Sequence, residues 1–393
     1  MTVSLPILII GAGPVGLSLA LALGRAEIPV ILFEQDVELN SDIRASTFHP
    51  PTLEMLAEWG VLDAVMANGF IVRELAYWER RTRERIATFH YDAIANDTPY
   101  PYRVQCPQHI LTRVLKPTVE QLPTVTVQMG HTFIDYKDCG THVEAQFETE
   151  KGVSVVSGAY LCGADGSRSA VRKALNMPFE GMTYEDRFLL IGTDYDFETI
   201  FPEFGPVNYI FDPEEWVIIL RLPDLARVVF RLKQHEDEAV ALAEAQLRQR
   251  MWRFIGDEVP FNIKTTQLYR VHQRVADSFR RGRVLLLGDA AHINNPAGGM
   301  GMNSGIHDAY LLAAIFSADW PHVPDAALDR YNDERRRAAL DNVQTYSSKN
   351  YRDMAAKDAA QRQQRNVELA KLAADPTLAR EYLLKAAMLA DRI

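Results

Sequence analysis

The sequence has little cysteine, no excess of positive charge and no pattern typical of a metal site. Its three cysteines, Cys106, Cys139 and Cys162, form neither a CxxC motif nor a disulfide framework, so we expect buried thiols in a reducing, cytoplasmic compartment. The 42 lysine and arginine residues are outnumbered by 52 acidic residues, which argues against a nucleic-acid partner because phosphate binding needs a basic surface. None of the ten histidines forms an HxH or HExxH pattern, so no metal site is predicted.

An uninterrupted apolar segment is also missing. Residues 2–24 carry no charge and are long enough to span a membrane. However, Pro6 and a central group of glycines break the run, and no Lys or Arg precedes it, so neither a membrane span nor a signal peptide is predicted. The pattern instead predicts a strand over 7–10, a glycine turn, a buried helix over 14–25 and a second strand over 30–33.

A glycine motif lies between these two predicted strands. Gly11, Gly13 and Gly16 form a GxGxxG pattern, and Glu34 follows the second strand. In such a motif the first glycine permits a tight turn, the second lets a pyrophosphate approach the backbone, and the third lets the helix pack closely on the strand. Phosphates then meet the helix N-terminus, and Glu34 would accept hydrogen bonds from an adenosine ribose. The motif predicts dinucleotide binding and leaves FAD and NAD open.

Two later segments carry a related signal. Each is an apolar strand that ends in a carboxylate next to glycine, first at Asp165 and then at Asp289. Open α/β sheets bind their ligands at the carboxyl ends of strands. We therefore expect both carboxylates to lie beside the dinucleotide.

A loop rich in proline and glycine follows the second of these strands, over residues 294–301. The helix predicted over 303–316 begins near Met302 and Asn303, so its free N–H groups would face a reduced flavin, which carries negative charge. Gly301 and its neighbouring glycines let a ring approach the backbone, and Pro296 stiffens the loop.

Taken together, these segments resemble the class A flavin monooxygenases, the 4-hydroxybenzoate hydroxylase-like aromatic hydroxylases. The resemblance covers about residues 5–335 and rests on segments in the following order. They are GAGPVG, Arg44 in DIRASTFHPPTLEMLAEWGV, Gln108 with Leu111 and Leu115, GADGSRS, and GDAAHINNPAGGMGMNSGIHDA. The resemblance implies an α/β fold in which a Rossmann-like FAD-binding domain carries an inserted, mainly antiparallel β-sheet substrate domain and C-terminal helices.

The resemblance also implies a division of the chain. Residues 1–70, 101–180 and 280–335 would form the FAD-binding domain, 71–100 and 181–279 the substrate domain, and 336–393 a C-terminal helical segment. Strand-like apolar runs over 207–211, 216–222 and 227–232 agree with the inserted sheet. In the last segment, we expect the arginines at 335–337 to form a solvated helix face.

Site roles follow from the resemblance residue by residue. Glu34 would bind the adenosine ribose, Arg44 and Gln108 would lie along the pyrophosphate and ribityl chain, and Asp289 would bond a ribityl hydroxyl. Asp165 would lie where the pyrophosphate and the nicotinamide donor meet.

The activity implied is hydroxylation of a phenolic or hydroxylated N-heteroaromatic compound. NADH or NADPH would reduce FAD, O₂ would add to the reduced flavin, and the resulting C4a-hydroperoxide would pass oxygen to the electron-rich ring. The partners implied are thus a small aromatic substrate, NAD(P)H and O₂. A homodimer is one possible assembly.

Such a reaction needs a base that helps to ionise the ring hydroxyl. His49 is the first candidate, because it lies five residues after Arg44; the alternative is that it only caps or packs at the start of the following helix. Tyr209, on a candidate pocket strand, and His272, ahead of the Asp289 strand, are further candidates.

Two other functions remain open from the sequence. The same flavin fold could carry a dehydrogenase, a reductase, a halogenase or an oxygenase of a polyketide-like substrate. A flavin-binding sensor or scaffold without turnover is the alternative from another class, since a fold by itself does not determine function.

Overall fold

The computed structural model describes residues 4–40, 45–232, 236–296, 298–344, 353 and 358–390. Its strands are β1 (Ile7–Ile10), β2 (Val30–Phe33), β3 (Thr47–Phe48), β4 (Phe70–Val72), β5 (Glu74–Glu79), β6 (Arg85–His90), β7 (Arg103–Gln105), β8 (Val125–Gln128), β9 (Thr132–Asp138), β10 (Val143–Thr149), β11 (Gly152–Gly158), β12 (Tyr160–Gly163), β13 (Phe179–Thr193), β14 (Val207–Phe211), β15 (Val217–Arg221), β16 (Ala226–Leu232), β17 (Ile263–Ala276), β18 (Arg280–Arg281), β19 (Val284–Leu286) and β20 (His292–Ile293).

The helices are α1 (Pro14–Arg25), α2 (Pro50–Glu58), α3 (Leu62–Met66), α4 (Gln108–Glu120), α5 (Ala170–Ala174), α6 (Glu238–Leu242), α7 (Glu244–Ile255), α8 (Gly301–Asp319), α9 (Asp325–Arg337), α10 (Ala359–Ala374) and α11 (Pro376–Ala386). A π-helical segment, Ala338–Gln344, continues α9. None of the helices in the described part of the chain combines the length and apolarity that crossing a bilayer requires.

A six-stranded sheet places the glycine motif at its centre. Its order is β18-β19-β12-β1-β2-β8, and every pair except β18 with β19 is parallel. The strand-turn-helix-strand unit β1-α1-β2 has the bounds predicted from the sequence. Helix α1 lies against α8 and α4, which explains why its apolar residues surround the helix rather than forming one stripe.

The second large sheet has eight strands, in the order β20-β17-β13-β16-β15-β14-β5-β6. Every pair is antiparallel except β14 with β5. The α/β fold with a mainly antiparallel inserted sheet is thereby confirmed. Strand β20 follows the Asp289 segment in the chain and yet pairs with β17, so the two sheets meet at this point.

Several details differ from the sequence-based expectations. The three-stranded antiparallel sheet β11-β10-β9 was not predicted, and α8 begins at Gly301, ahead of the expected start near Met302. Arg335 is buried rather than solvated, because it forms an ion pair with buried Asp308. Cys139 is only half-buried, unlike Cys106 and Cys162.

Candidate functional site

The turn between β1 and α1 leaves space that a phosphate can occupy. Gly11 has φ +103°, and a Cβ there would lie 2.6 Å from the Ala164 carbonyl oxygen. A Cβ on Gly16 would lie 1.9 Å from the Gly11 carbonyl oxygen, whereas a Cβ on Gly13 would meet nothing within 4 Å. Gly11 and Gly16 are therefore required by the fold itself, while Gly13 keeps open the space before the N-terminus of α1. The residues present fit a dinucleotide pyrophosphate.

Glu34 lies at the rim of this turn. Its Oε2 accepts a hydrogen bond from the Ala12 backbone N–H at 2.8 Å, and its Oε1 accepts one from the Asp36 N–H at 3.1 Å. The carboxylate at the end of β2 is thus fixed beside the glycine turn, as the fit to an adenosine ribose requires.

Asp165 follows β12, and its α-carbon lies close to Gly11. Its carboxylate accepts hydrogen bonds from Ser169 Oγ at 2.6 Å and from the backbone N–H groups of Ala170 at 2.7 Å and Val171 at 3.1 Å. Burial raises the pKa of this carboxyl, and the three donors oppose the shift. The side chain therefore caps α5, and only its backbone borders the phosphate turn.

Asp289 is exposed at the end of β19, between buried Gly288 and Ala290. A buried ionic cluster holds this turn in place. The Asp308 carboxylate on α8 accepts hydrogen bonds from the Gly288 N–H at 2.9 Å, His292 Nε2 at 2.8 Å and Arg335 Nε at 2.6 Å.

Burial alone would raise the pKa of the Asp308 carboxyl, but the charges of His292 and Arg335 outweigh burial and hold this pKa below its ordinary value. The Asp308 carboxylate is therefore ionised at neutral pH, and the cluster connects the Asp289 turn with α8 and α9.

Asn303 anchors the glycine loop in front of α8. Its side-chain Oδ1 accepts a hydrogen bond from the His49 N–H at 2.9 Å, and its Nδ2 donates to the carbonyl oxygens of Thr47 and Gly299, both at 2.8 Å. Gly299 has φ +70°, a conformation that glycine adopts without strain. The Asn303 amide thus fixes the loop to β3 and to the residue before α2, and the N–H groups of the first turn of α8 are available to a ligand in front of the helix.

His49 precedes α2 and is completely buried. Its Nε2 lies 2.9 Å from the Gly298 carbonyl oxygen, and because a carbonyl oxygen only accepts, Nε2 carries the proton. Burial and then the charge of Arg103 lower the pKa of His49 well below 6.5, so the ring is neutral and its Nδ1 has a lone pair. Its side chain does not cap α2; it holds the glycine loop.

A pocket lies between this loop and the eight-stranded sheet. It has about 570 Å³ of empty space, part of it open solvent. The sheet contributes aromatic and aliphatic side chains, namely Phe188, Tyr209, Trp216, Ile218, Leu220, Val229 and Tyr269. The opposite wall comes from the glycine loop and the small β3-β7-β4 sheet, through Thr47, Arg103, Gln105, Asn295, Pro296, Gly298 and Gly299. Aromatic faces with few polar groups are typical of a site for a small aromatic ligand.

The predicted catalytic residues fall into different places. Tyr209 lines the pocket, where its ring stacks on Tyr77 with centroids 5.1 Å apart. His49 lies behind Gly298, a residue of the pocket wall. His272 is not among the described residues that line the pocket, and its Nδ1 is instead 2.9 Å from Thr183 Oγ1 on β13.

Three further predicted cofactor residues lie in the first turns of helices. Gln108 is the first residue of α4, and its backbone N–H donates to the Ala45 carbonyl at 2.9 Å. Met302 is buried in the first turn of α8, and Gly301 begins that helix. Arg44 lies outside the described residues.

Sequence reasoning missed the polar side chains on β7. Arg103 and Gln105 lie two residues apart and so point to the same face of the strand, toward the pocket. Arg103 Nη2 donates to the Ala386 carbonyl oxygen at 2.7 Å, and its guanidinium lies over the Tyr91 ring. The signal in the sequence was the alternation of polar Arg103 and Gln105 around Val104.

Comparisons with known proteins agree with this geometry. A family model described as an FAD binding domain matches residues 4–346. The chain is 30% identical over 384 residues to para-nitrophenol 4-monooxygenase of Pseudomonas sp. (strain WBC-3), which covers 96% of this chain and 94% of that protein. It is 30% identical over 358 residues to 6-hydroxy-3-succinoylpyridine 3-monooxygenase of Pseudomonas putida, 90% of each chain. The crystal structure of p-nitrophenol 4-monooxygenase from Pseudomonas putida superposes with a TM-score of 0.89 at 29% identity, covering 98% of both chains.

Proposed function

The chain belongs to the FAD binding domain family and is a flavin-dependent aromatic monooxygenase, and from this membership we propose that it hydroxylates a small phenolic or hydroxylated N-heteroaromatic compound. The relatives named above act on a nitrophenol and on a hydroxypyridine. The observation that carries the proposal is the pocket itself, in which an aromatic sheet face lies opposite the glycine loop in front of α8.

The residues of this chain that would hold FAD lie at three strand ends. Gly11, Gly13 and Gly16 would take the pyrophosphate, Glu34 the adenosine ribose, and Asp289 the ribityl chain. Bound FAD supplies the redox chemistry and the activation of O₂. The loop that contains Pro296, Gly298 and Gly299 would lie beside the ring, with Gly301, Met302 and Asn303 in the first turn of α8 behind it.

The other residues that we propose to bind the cofactor would lie beside the same FAD molecule. Arg44 and Gln108 would flank the pyrophosphate and ribityl chain, and Asp165 would keep its turn beside the phosphates by accepting hydrogen bonds from the first N–H groups of α5. NADH or NADPH would serve as the electron donor and O₂ as the oxidant, and we retain the division into FAD-binding, substrate and helical segments as a prediction.

The pocket walls suit an electron-rich ring with an ionisable hydroxyl. Phe188, Trp216 and Tyr269 offer aromatic surface that excludes water and packs on the ring. The Arg103 guanidinium in the opposite wall favours the ionised form of a ring hydroxyl through its positive charge. Ionisation makes the ring more nucleophilic, which is what oxygen transfer requires.

His49 is the base that we propose to accept the hydroxyl proton, at Nδ1. Its Nε2 donates a hydrogen bond to the Gly298 carbonyl, so the lone pair that can accept a proton is at Nδ1, and the lowered pKa of the ring means that it passes this proton on rather than keeps it. Tyr209, which lines the pocket, is the second candidate. His49 contacts the lining residue Gly298, whereas His272 contacts Thr183, which is not a lining residue, so His272 is the third candidate.

The test is a substrate screen with the purified FAD-loaded protein. Phenols, nitrophenols, hydroxybenzoates and hydroxypyridines are each added with NADH or NADPH in air, and NAD(P)H oxidation, O₂ use and ring-hydroxylated product are measured together. We expect one class to accelerate NAD(P)H oxidation and to yield product in proportion to it. Oxidation of a substrate without O₂ incorporation would indicate a dehydrogenase, and no stimulation by any aromatic would contradict the proposal.

A further inference from the structure

A hairpin turn that lies in the chain between the Gln108 and Asp165 segments brings three metal-binding side chains together. The turn joins β9 to β10 and consists of Gly140 and Thr141, flanked by Cys139 and His142. The Cys139 N–H donates to the His142 carbonyl at 2.9 Å, and the register pairs the adjacent residues Asp138 and Val143.

Cys139 and His142 are therefore directly opposite one another, so their side chains leave the same face of the hairpin. Glu144 lies two residues after His142 on β10, and the period of two in a strand places it on that face as well. The alternate residues Val143, Ala145 and Phe147 are buried. The ligand face is thus the outer one, and Cys139, His142 and Glu144 are all half-buried.

From this arrangement we propose that Cys139, His142 and Glu144 bind one divalent cation of the zinc class, with water as the fourth ligand. Their Sγ, imidazole nitrogen and carboxylate oxygen all lie within 4.8 Å of one another. A zinc ion with bonds of about 2.0 to 2.3 Å holds its ligand atoms roughly 3 to 4 Å apart, so small side-chain rotations close the site. The Cys139 thiol loses its proton to solvent on binding.

The imidazole is already oriented for this role. His142 Nε2 faces Glu144, with Oε1 at 3.9 Å, while Nδ1 lies 3.2 Å from Thr141 Oγ1. A hydrogen bond from Nδ1 to the hydroxyl leaves Nε2 with the lone pair that a metal needs, an arrangement that is common around zinc. The mixed sulfur, nitrogen and oxygen set favours zinc over calcium or magnesium, which prefer oxygen alone.

The turn is also tied to the six-stranded sheet. Arg283, which directly precedes β19, donates from Nε to the Gly140 carbonyl at 2.8 Å. Binding of an ion to the native hairpin would stabilise the fold through mass action, and we expect the melting temperature to rise with zinc concentration. The site is independent of the proposed hydroxylation, so failure of one leaves the other standing.

The test uses the full chain with FAD bound, after treatment with a chelator. Cobalt(II) is titrated first, because its tetrahedral complexes absorb in the red, beyond the flavin bands, and zinc is then used to displace it and to measure stoichiometry by calorimetry. We expect one ion per chain. Cys139→Ser, His142→Gln and Glu144→Gln should each weaken binding by more than about a hundredfold, and Thr141→Val by roughly tenfold through loss of the imidazole orientation.

The matched control is His90→Gln. His90 is another histidine beside a glutamate, with Nδ1 3.3 Å from Glu74 Oε2, on a strand of the eight-stranded sheet. This variant should bind cobalt and zinc like the unmodified protein. Millimolar affinity of the unmodified protein would overturn the proposal, and so would Cys139→Ser or His142→Gln variants that bind as tightly as the unmodified protein. An unchanged flavin spectrum in the variants will confirm that they fold.

Discussion

At the scale of single residues, Asp289 gives the sharpest check on the cofactor site. Its carboxylate is exposed at a strand end while the backbone around it is held by the Asp308 cluster. Replacing Asp289 by Ala should therefore weaken FAD binding and leave the fold intact. Bound FAD is measured from the visible spectrum after gel filtration and the fold from circular dichroism. Asp63→Ala, an exposed aspartate on α3, serves as the control, and wild-type FAD affinity in Asp289→Ala would show that the ribityl contact lies elsewhere.

A substitution at His49 tests the proposed proton transfer. Loss of a positioned base costs on the order of 100-fold in rate, so His49→Asn should slow hydroxylation at neutral pH by about that factor while FAD remains bound. The measurement is product formation at saturating substrate, with Tyr209→Phe and His272→Gln compared under the same conditions. A wild-type rate in His49→Asn would remove this residue from the mechanism and leave it the loop-holding role that its bond to Gly298 already gives it.

Single residues were also where sequence reasoning was least complete. The roles of Gly11, Gly13 and Gly16 could be predicted from the sequence, because each glycine answers to a local requirement of the backbone. The burial of Arg335 was not, because its partner Asp308 lies on another helix, 27 residues away. Arg103 reaches the pocket only through a pairing of short strands that no local pattern specifies.

At the scale of elements, the strand-turn-helix unit β1-α1 separates two kinds of glycine. Gly13→Ala should change the stability of the FAD-free protein by no more than about 0.5 kcal/mol, because its Cβ would enter open space, yet it should weaken FAD binding. Gly16→Ala should destabilise the FAD-free protein itself, because its Cβ would collide with the Gly11 carbonyl. Urea unfolding of both FAD-free variants and FAD titrations provide the comparison. Equal FAD affinity in Gly13→Ala and the unmodified protein would show that the pyrophosphate does not approach this position.

Elements with a clear apolar pattern were predicted well, including the runs at 207–211, 216–222 and 227–232, which form β14, β15 and β16 of the inserted sheet. The bounds of β1, α1 and β2 were confirmed, since apolar periodicity and a glycine turn are local signals. The start of α8 was misplaced by the Pro- and Gly-rich loop before it, where Gly301 already has helical geometry. The β9-β10-β11 sheet was not predicted, because exposed apolar residues such as Ile134, Val153 and Val155 obscure the alternation of its strands.

At the scale of the whole molecule, buried neutral histidines make stability depend on pH. Burial, followed by the charge of Arg335, lowers the pKa of His307 to about 3. Between pH 6.5 and pH 3 the unfolded chain therefore binds a proton that the folded chain does not, so stability is constant above pH 6.5 and is lost as the pH falls below it. From pH 7 to pH 5 this histidine should cost roughly 2 kcal/mol, and His49 acts in the same direction.

Urea unfolding at pH 7 and pH 5 measures this loss, and the carboxylate of Asp308 does not interfere because its titration lies at lower pH. The His307→Gln variant should show a smaller decrease in unfolding free energy over the same interval. An identical decrease in both proteins would mean that His307 is protonated in the folded state.

The pocket has two walls of different origin, and this separates specificity from cofactor chemistry. The aromatic wall belongs to strands of the large sheet, whereas the opposite wall contains the glycine loop that Asn303 anchors. A library that randomises Trp216, Ile218 and Leu220 alone should thus redirect the enzyme toward rings of other shape without disturbing the yellow chromophore. Natural divergence among such enzymes has the same freedom, because substitutions on one wall leave the other wall's hydrogen bonds intact.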